Sequence, residues 1–205
     1  ELLKDYKGAI QADGYQAYSI YDNKKGVLLL GCWAHARRKF TESLLEDKTG
    51  AEYALAQIGK IYKVEYMAND QNLSYDERAE LRKRLAHPIM LAFKNWLENY
   101  YSKTIPNGRM YGAIRYTLNI FNRLSRYHLD GRYLPDNNGA ENAIRPLAVG
   151  RKGYLFCGND DAAENAAVMY SLFACCKASD VNPREWLTDI FNKVPRYNND
   201  YTLDL

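Results

Sequence analysis

Apolar and polar positions divide this chain into a short sheet-forming beginning and a long helical remainder. Ala9 to Ala12 is a short apolar stretch closed by Asp13-Gly14, which reads as a strand delivering Asp13 at its C-terminal end. Ahead of it, ELLKDYKG reads as part of a helix. The polar segment Tyr15 to Lys25 predicts a turn and a short helix, leading into GVLLLGCW from Gly26 to Trp33. That unbroken apolar run suits a strand buried on both faces. Two strands joined through a helical segment are what one half of an α/β sheet looks like, and such a pair needs further cover to be stable.

From Ala34 to Tyr133 no strand pattern appears and helix signals dominate. Ser74 with Glu77 three residues on forms a capping box that starts a helix, and Pro88 is expected to break or kink it. Trp96, Leu97 and Tyr100 continue an apolar face. Pro106-Asn107-Gly108 then marks a turn before a helix from Arg109 to Tyr127. Another helix follows Asn138, with Ala140, Ala143, Ile144, Leu147 and Ala148 as a stripe expected to pack on the sheet and Pro146 expected to kink it. Two last helices span Asp161 to Ala178 and Pro183 to Val194. The expected organisation is a half-sheet over 1–33, a helical insertion over 34–133, a helix bearing Glu141 and C-terminal helices over 134–194, and a tail over 195–205 with little to bury. The class is α/β, predominantly α by residue count.

The 205 residues suffice for one substantial core, or for a core plus an inserted subdomain. Lys and Arg total 28 against 25 acidic residues, so a net charge of +3 says little by itself and local clustering decides. The four cysteines, Cys32, Cys157, Cys175 and Cys176, show no paired metal-ligand spacing, and the adjacent pair is a poor candidate for a bridge. A reducing, cytoplasmic setting is expected, with no signal peptide and no membrane-length apolar run.

Two carboxylates stand out. Asp13 sits at a strand end and Glu141 on the first turn of a helix, as hard oxygen donors for divalent cations must be placed on rigid elements. Each has a plainer reading. Asp-Gly is a common turn dipeptide. Glu141, with Asn138 as N-cap, can close a capping box or pair with Arg145 one turn later. Arg37, Arg38 and Lys39 are the densest basic cluster and point to phosphate binding, while Arg145, Arg151 and Lys152 read equally as a DNA-backbone contact or a solvated helix face. Cys32 and His35 have a spacing that suits zinc, but two ligands make no tetrahedral site, and a buried thiol beside a hydrogen-bonded histidine is the better reading. The 18 tyrosines raise a rival class, the tyrosine recombinases, although no local motif nominates an attacking phenol and amphipathic packing accounts for their helical spacing.

Three blocks, AIQADGY around Asp13, GCWAHARRKF from Gly31 to Phe40 and LPDNNGAENAIRPLAVGRKGYLF from Leu134 to Phe156, resemble in order the transposases of the insertion sequence 66 family. The resemblance covers nearly the whole chain. It implies a ribonuclease-H-like fold with an all-helical insertion, on which two aspartates and a glutamate hold two magnesium or manganese ions for DNA cleavage and strand transfer. Asp13 and Glu141 match the second aspartate and the glutamate. Asp5 is too close to Asp13 to be the first, so the chain is expected to lack it and to be inactive alone. Asn142 departs from the arginine the family commonly has after its glutamate. The partners implied are transposon ends and target DNA, with no membrane. An unpaired edge on the strand bearing Asp13 predicts self-association. A non-catalytic DNA-binding relic of a transposase is the alternative.

Overall fold

A computed structural model describes residues 3–197, which form mostly helices with one two-stranded sheet. Two compact units divide it, residues 1–138 and 139–205.

In the first unit, β1 (Gly8–Gln11) and β2 (Val27–Leu30) pair in parallel, with Gly8 opposite Val27 and Gln11 opposite Leu30. Between them runs a 3-10 turn, Gln16–Tyr21. Leu29 and Leu30 are buried while Val27 and Leu28 are half-buried, so β2 is covered most completely toward its C-terminal end. The helix expected over ELLKDYKG does not form in its described part. Leu3–Asp5 is a turn, and the Lys24 ammonium takes the carbonyls of Leu3 and Lys4, the acceptors a first helical turn would need.

Six helices complete this unit: α1 (Trp33–Glu42), α2 (Lys48–Asp70), α3 (Tyr75–Leu81), α4 (His87–Tyr101), α5 (Arg109–Asn119) and α6 (Phe121–Ser125). Among the described residues no strand interrupts them. The Ser74–Glu77 capping box is present and opens α3. Pro88 breaks nothing. A π-helical turn, Arg82–Ala86, links α3 to α4 without interrupting the helical run, and Pro88 follows that turn as the second residue of α4. The single helix expected from Arg109 to Tyr127 is divided at Ile120. The chain then turns into a 3-10 segment at Arg126, because Gly31 N–H and the Trp33 indole N–H occupy the carbonyls of Arg123 and Leu124 at 3.0 and 3.1 Å.

The core gathers Trp33 and Phe40 of α1, Ile58 and Ile61 of α2, Met90, Phe93 and Leu97 of α4, and Ile114 of α5, all at most 1% exposed. Each contributes about 1.5–3 kcal/mol by burial. Within this unit Arg82 is also fully buried. Its guanidinium meets the Glu65 carboxylate twice, at 2.8 and 2.6 Å, and donates to the carbonyls of Tyr127 and Asp130 at 3.0 and 2.8 Å.

The second unit holds α7 (Asn138–Tyr154), α8 (Asp160–Ala178) and α9 (Pro183–Tyr197). Asn159 caps α8 through the Ala162 N–H at 2.8 Å, and Phe173 of α8 meets Trp186 of α9 edge to face at 6.4 Å. Pro146 lies inside α7. Its stripe is not buried: Ala140, Ala143 and Ile144 are exposed, and Leu147 and Ala148 are half-buried. The expected tail starts later than Pro195, since α9 runs to Tyr197. The rest, 198–205, lies outside the described residues.

Candidate active site

Because β1 and β2 are parallel, their C-terminal ends share one edge of the sheet, and the residues that follow both strands meet there. Ala12 extends the ladder with its N–H on the Leu30 carbonyl at 3.1 Å, which brings Asp13 to the edge. Asp13 is half-buried. Its Oδ1 accepts the Tyr15 N–H at 2.9 Å, an Asx turn that fixes the carboxylate, and among the described residues Oδ2 has no hydrogen-bond partner. Gly14 sits at φ +85, where a β-carbon would come within 3.1 Å of the Tyr116 ring and hydroxyl. Tyr116, on α5, donates its hydroxyl to the Asp13 carbonyl and so ties the helical region to this turn. Burial, then the Asp13 charge, pushes the Tyr116 phenol up, which keeps it a donor.

The segment preceding α7 is fastened to the same edge. Gln11 Nε2 donates to the carbonyls of Gly31 and Leu134 at 3.2 and 2.8 Å, and the Trp33 N–H donates to Pro135 at 2.9 Å. Asp136 is engaged on both oxygens, by the Tyr62 hydroxyl at 2.7 Å and by the Asn138 N–H at 3.1 Å. Asn137 Oδ1 is buried without a partner among the described residues. Cys32 is fully buried, with its sulfur 3.1 Å from His35 Nδ1. Burial pushes the thiol up, opposed by backbone N–H groups of Asn137, His35 and Ala34. The pair therefore reads as a buried thiol and its histidine neighbour.

Arg37, Arg38 and Lys39 occupy the middle of α1. Arg37 acts on the Tyr62 phenol, Arg38 acts on that of Tyr116, and the Lys39 ammonium lies 4.8 Å over the Tyr116 ring. In the second unit Glu141 is half-buried on the first turn of α7, which begins at Asn138 itself rather than after it. Arg145, Arg151 and Lys152 are exposed and make no ion pair within 4.0 Å among the described residues.

Among the described residues, no group of three or more His, Cys, Asp or Glu side chains is gathered as a cation site. The donors present are nonetheless of the right kind. Asp13 offers a hard, partly exposed oxygen, and magnesium commonly takes one or two carboxylates together with substrate phosphates.

Sequence reasoning passed over Tyr116, Tyr62, Asp136 and Gln11. Gln11 and Asp136 stand inside the blocks around Asp13 and Glu141, so their position was a usable signal. The two tyrosines had none, since each reaches the edge from a distant helix. All four cysteines are free, and no helix among the described residues is long and apolar enough to cross a membrane.

The sequence profile of the transposase IS66 family matches residues 1–165. Three proteins of Sinorhizobium fredii (strain NBRC 101917 / NGR234), each named only as uncharacterized, are similar over 94% of this chain. The protein y4jD is 30% identical over 201 residues, y4qI 29% over 200 and y4hP 27% over 209. The chain spans 37–39% of the length of these relatives. No solved structure matches.

Proposed function

The chain belongs to the transposase IS66 family, and from that membership we propose that it carries part of the catalytic region of a metal-dependent DNA transposase. The carrying observation is the Asp13 carboxylate, held by its own Asx turn at the C-terminal edge of a parallel strand pair with one oxygen unengaged among the described residues. β1 and β2 are then the part of a ribonuclease-H-like sheet that presents the second aspartate, and α1 to α6 belong to the inserted helical region.

In this reading Asp13 and Glu141 hold magnesium or manganese, two ions in the complete site, together with a further aspartate. The metal ions stabilise the attacking and leaving oxygens of the phosphodiester. The chain's own residues do the positioning. Tyr15 N–H and Tyr116 hold the Asp13 turn, and Gln11 and Trp33 hold Leu134 and Pro135 at the same sheet edge. Arg37, Arg38 and Lys39, and Arg145, Arg151 and Lys152, neutralise DNA phosphates. The whole protein acts on transposon ends and target DNA as a homo-oligomer, and it works in the bacterial cytoplasm. The second reading, a DNA-binding relic without chemistry, is favoured by the absence of a three-ligand group among the described residues.

Strand cleavage separates the two. A longer polypeptide that includes the third carboxylate nicks a labelled transposon-end duplex in magnesium, and EDTA, Asp13→Asn or Glu141→Gln each abolishes nicking. Binding without nicking in that polypeptide supports the relic, and a covalent phosphotyrosyl adduct resistant to EDTA would place the chemistry on a tyrosine.

A further inference from the structure

Helices α1 and α5 enclose a groove of about 410 Å³ that the residues of the Asp13 turn do not line. Its walls carry Lys39 and Glu42 from α1 and Arg109, Arg115 and Tyr116 from α5, and Gly112 lies on the α5 side. Three cations face one carboxylate. Among the described residues none of the three makes an ion pair within 4.0 Å.

The cations are held in place by other means. Lys39 lies over the Tyr116 ring at 4.8 Å, and the Arg115 guanidinium lies 5.4 Å from the Tyr111 ring, which is itself stacked on Tyr101 at 4.6 Å. An aromatic face positions a cation without neutralising it and leaves its N–H groups for another acceptor. Arg109 Nη1 reaches only the Glu42 carbonyl at 3.3 Å, and its own backbone N–H is taken by Glu46 at 2.7 Å, which locks the first turn of α5. Gly112 lines the groove, and a β-carbon there would meet no atom within 4 Å, so the α5 wall is unobstructed at this position. Tyr116, which lines the groove, also donates its hydroxyl to the Asp13 carbonyl, so one side chain links the groove wall to the turn that presents the carboxylate.

We propose that the α1–α5 groove is a track for the phosphodiester backbone of DNA, with Lys39, Arg109 and Arg115 as its phosphate contacts and the strand leading toward Asp13. This rests on the reading of the chain as acting on DNA, but needs no metal. Glu42 sets the opposing charge and keeps the track from holding the strand too tightly.

The test is fluorescence anisotropy of labelled single-stranded and duplex DNA of about 20 nucleotides with the full 205-residue chain, in EDTA, over a series of salt concentrations. The Lys39→Gln/Arg115→Gln protein is expected to bind at least about tenfold more weakly, with a log–log salt slope shallower by about two. Gly112→Phe blocks the track at unchanged charge and weakens binding similarly, Glu42→Gln tightens it, and Lys60→Gln on α2 leaves it alone. Circular dichroism verifies that each variant is folded. The proposal is overturned if the unaltered chain does not bind DNA at low salt, if the folded groove variants bind as it does, or if millimolar inorganic phosphate displaces the DNA, which would make this a free-phosphate site. Because every binding measurement is made in EDTA, a failure of the metal chemistry is read separately, in manganese binding.

Discussion

The Tyr116 hydroxyl donates to the main-chain carbonyl of Asp13, joining the middle of α5 to the turn at the end of β1. Helix and sheet edge are thus held together at the residue proposed to bind metal. Tyr116→Phe removes one hydrogen bond and is expected to cost about 0.5–1.5 kcal/mol in urea denaturation. Gly14→Ala forces a side chain into φ +85 against the same tyrosine, and a loss of at least about 1 kcal/mol is expected. Both substitutions should weaken manganese binding through the displaced Asp13 carboxylate; unchanged binding in either would separate the tether from the site.

The Arg82–Glu65 pair is fully enclosed on the arginine side, and the guanidinium also satisfies two carbonyls beyond α4. Breaking such a pair leaves one buried charge without its partner. Glu65→Gln or Arg82→Met should therefore lower stability by about 3–5 kcal/mol, while the double change Glu65→Leu/Arg82→Met should recover much of it. A single-substitution loss below about 1 kcal/mol in chemical denaturation would contradict this role.

His128 stacks on His87 at 4.4 Å, and its imidazole titrates below the ordinary histidine range, first through burial, with His87, Arg82 and Lys83 adding like charge against the Ser125 carbonyl that favours protonation. A depressed folded value means that the unfolded chain binds the proton more readily. The resulting stability is present above the unfolded value of about 6.5 and is lost as pH falls through the folded one. Denaturation midpoints should drop between about pH 8 and pH 5.5 more steeply in the unaltered protein than in His128→Gln. Parallel profiles would show that His128 carries none of the dependence.

Thiol labelling distinguishes the cysteines. Cys175 is exposed, Cys157 half-buried, and Cys32 and Cys176 buried, with the Cys32 thiol pushed up by burial. Iodoacetamide on the native protein should modify Cys175 first and spare Cys32 until denaturant is added. Early modification of Cys32 would mean that the β2 end is open to solvent.

Local signals carried much of this architecture. The apolar runs before Asp13 and Trp33 became β1 and β2, and the Ser74–Glu77 box opened α3 where its spacing requires. What the sequence left hidden depends on partners far along the chain. Lys24 reaches back to the carbonyls of Leu3 and Lys4 where a helix was expected, and the helical run after Phe121 gives way to a 3-10 turn at Arg126, where Gly31 and Trp33 claim the carbonyls of Arg123 and Leu124. Pro88 misled by its type alone, since a π-helical turn before it removes the conflict. At the site, Asp13 was legible through its strand-then-turn pattern, whereas Tyr116 and Tyr62 are ordinary helical tyrosines until folding brings them to Asp13 and Asp136.

The most direct measurement is calorimetric titration of manganese into this chain, its Asp13→Asn and Glu141→Gln variants, and a longer polypeptide carrying the third carboxylate. Two ions are expected to bind the longer polypeptide, with each substitution weakening binding by at least about tenfold. Absence of binding in the longer polypeptide, or binding indifferent to Asp13 and Glu141, would contradict the assignment of these two carboxylates as metal ligands.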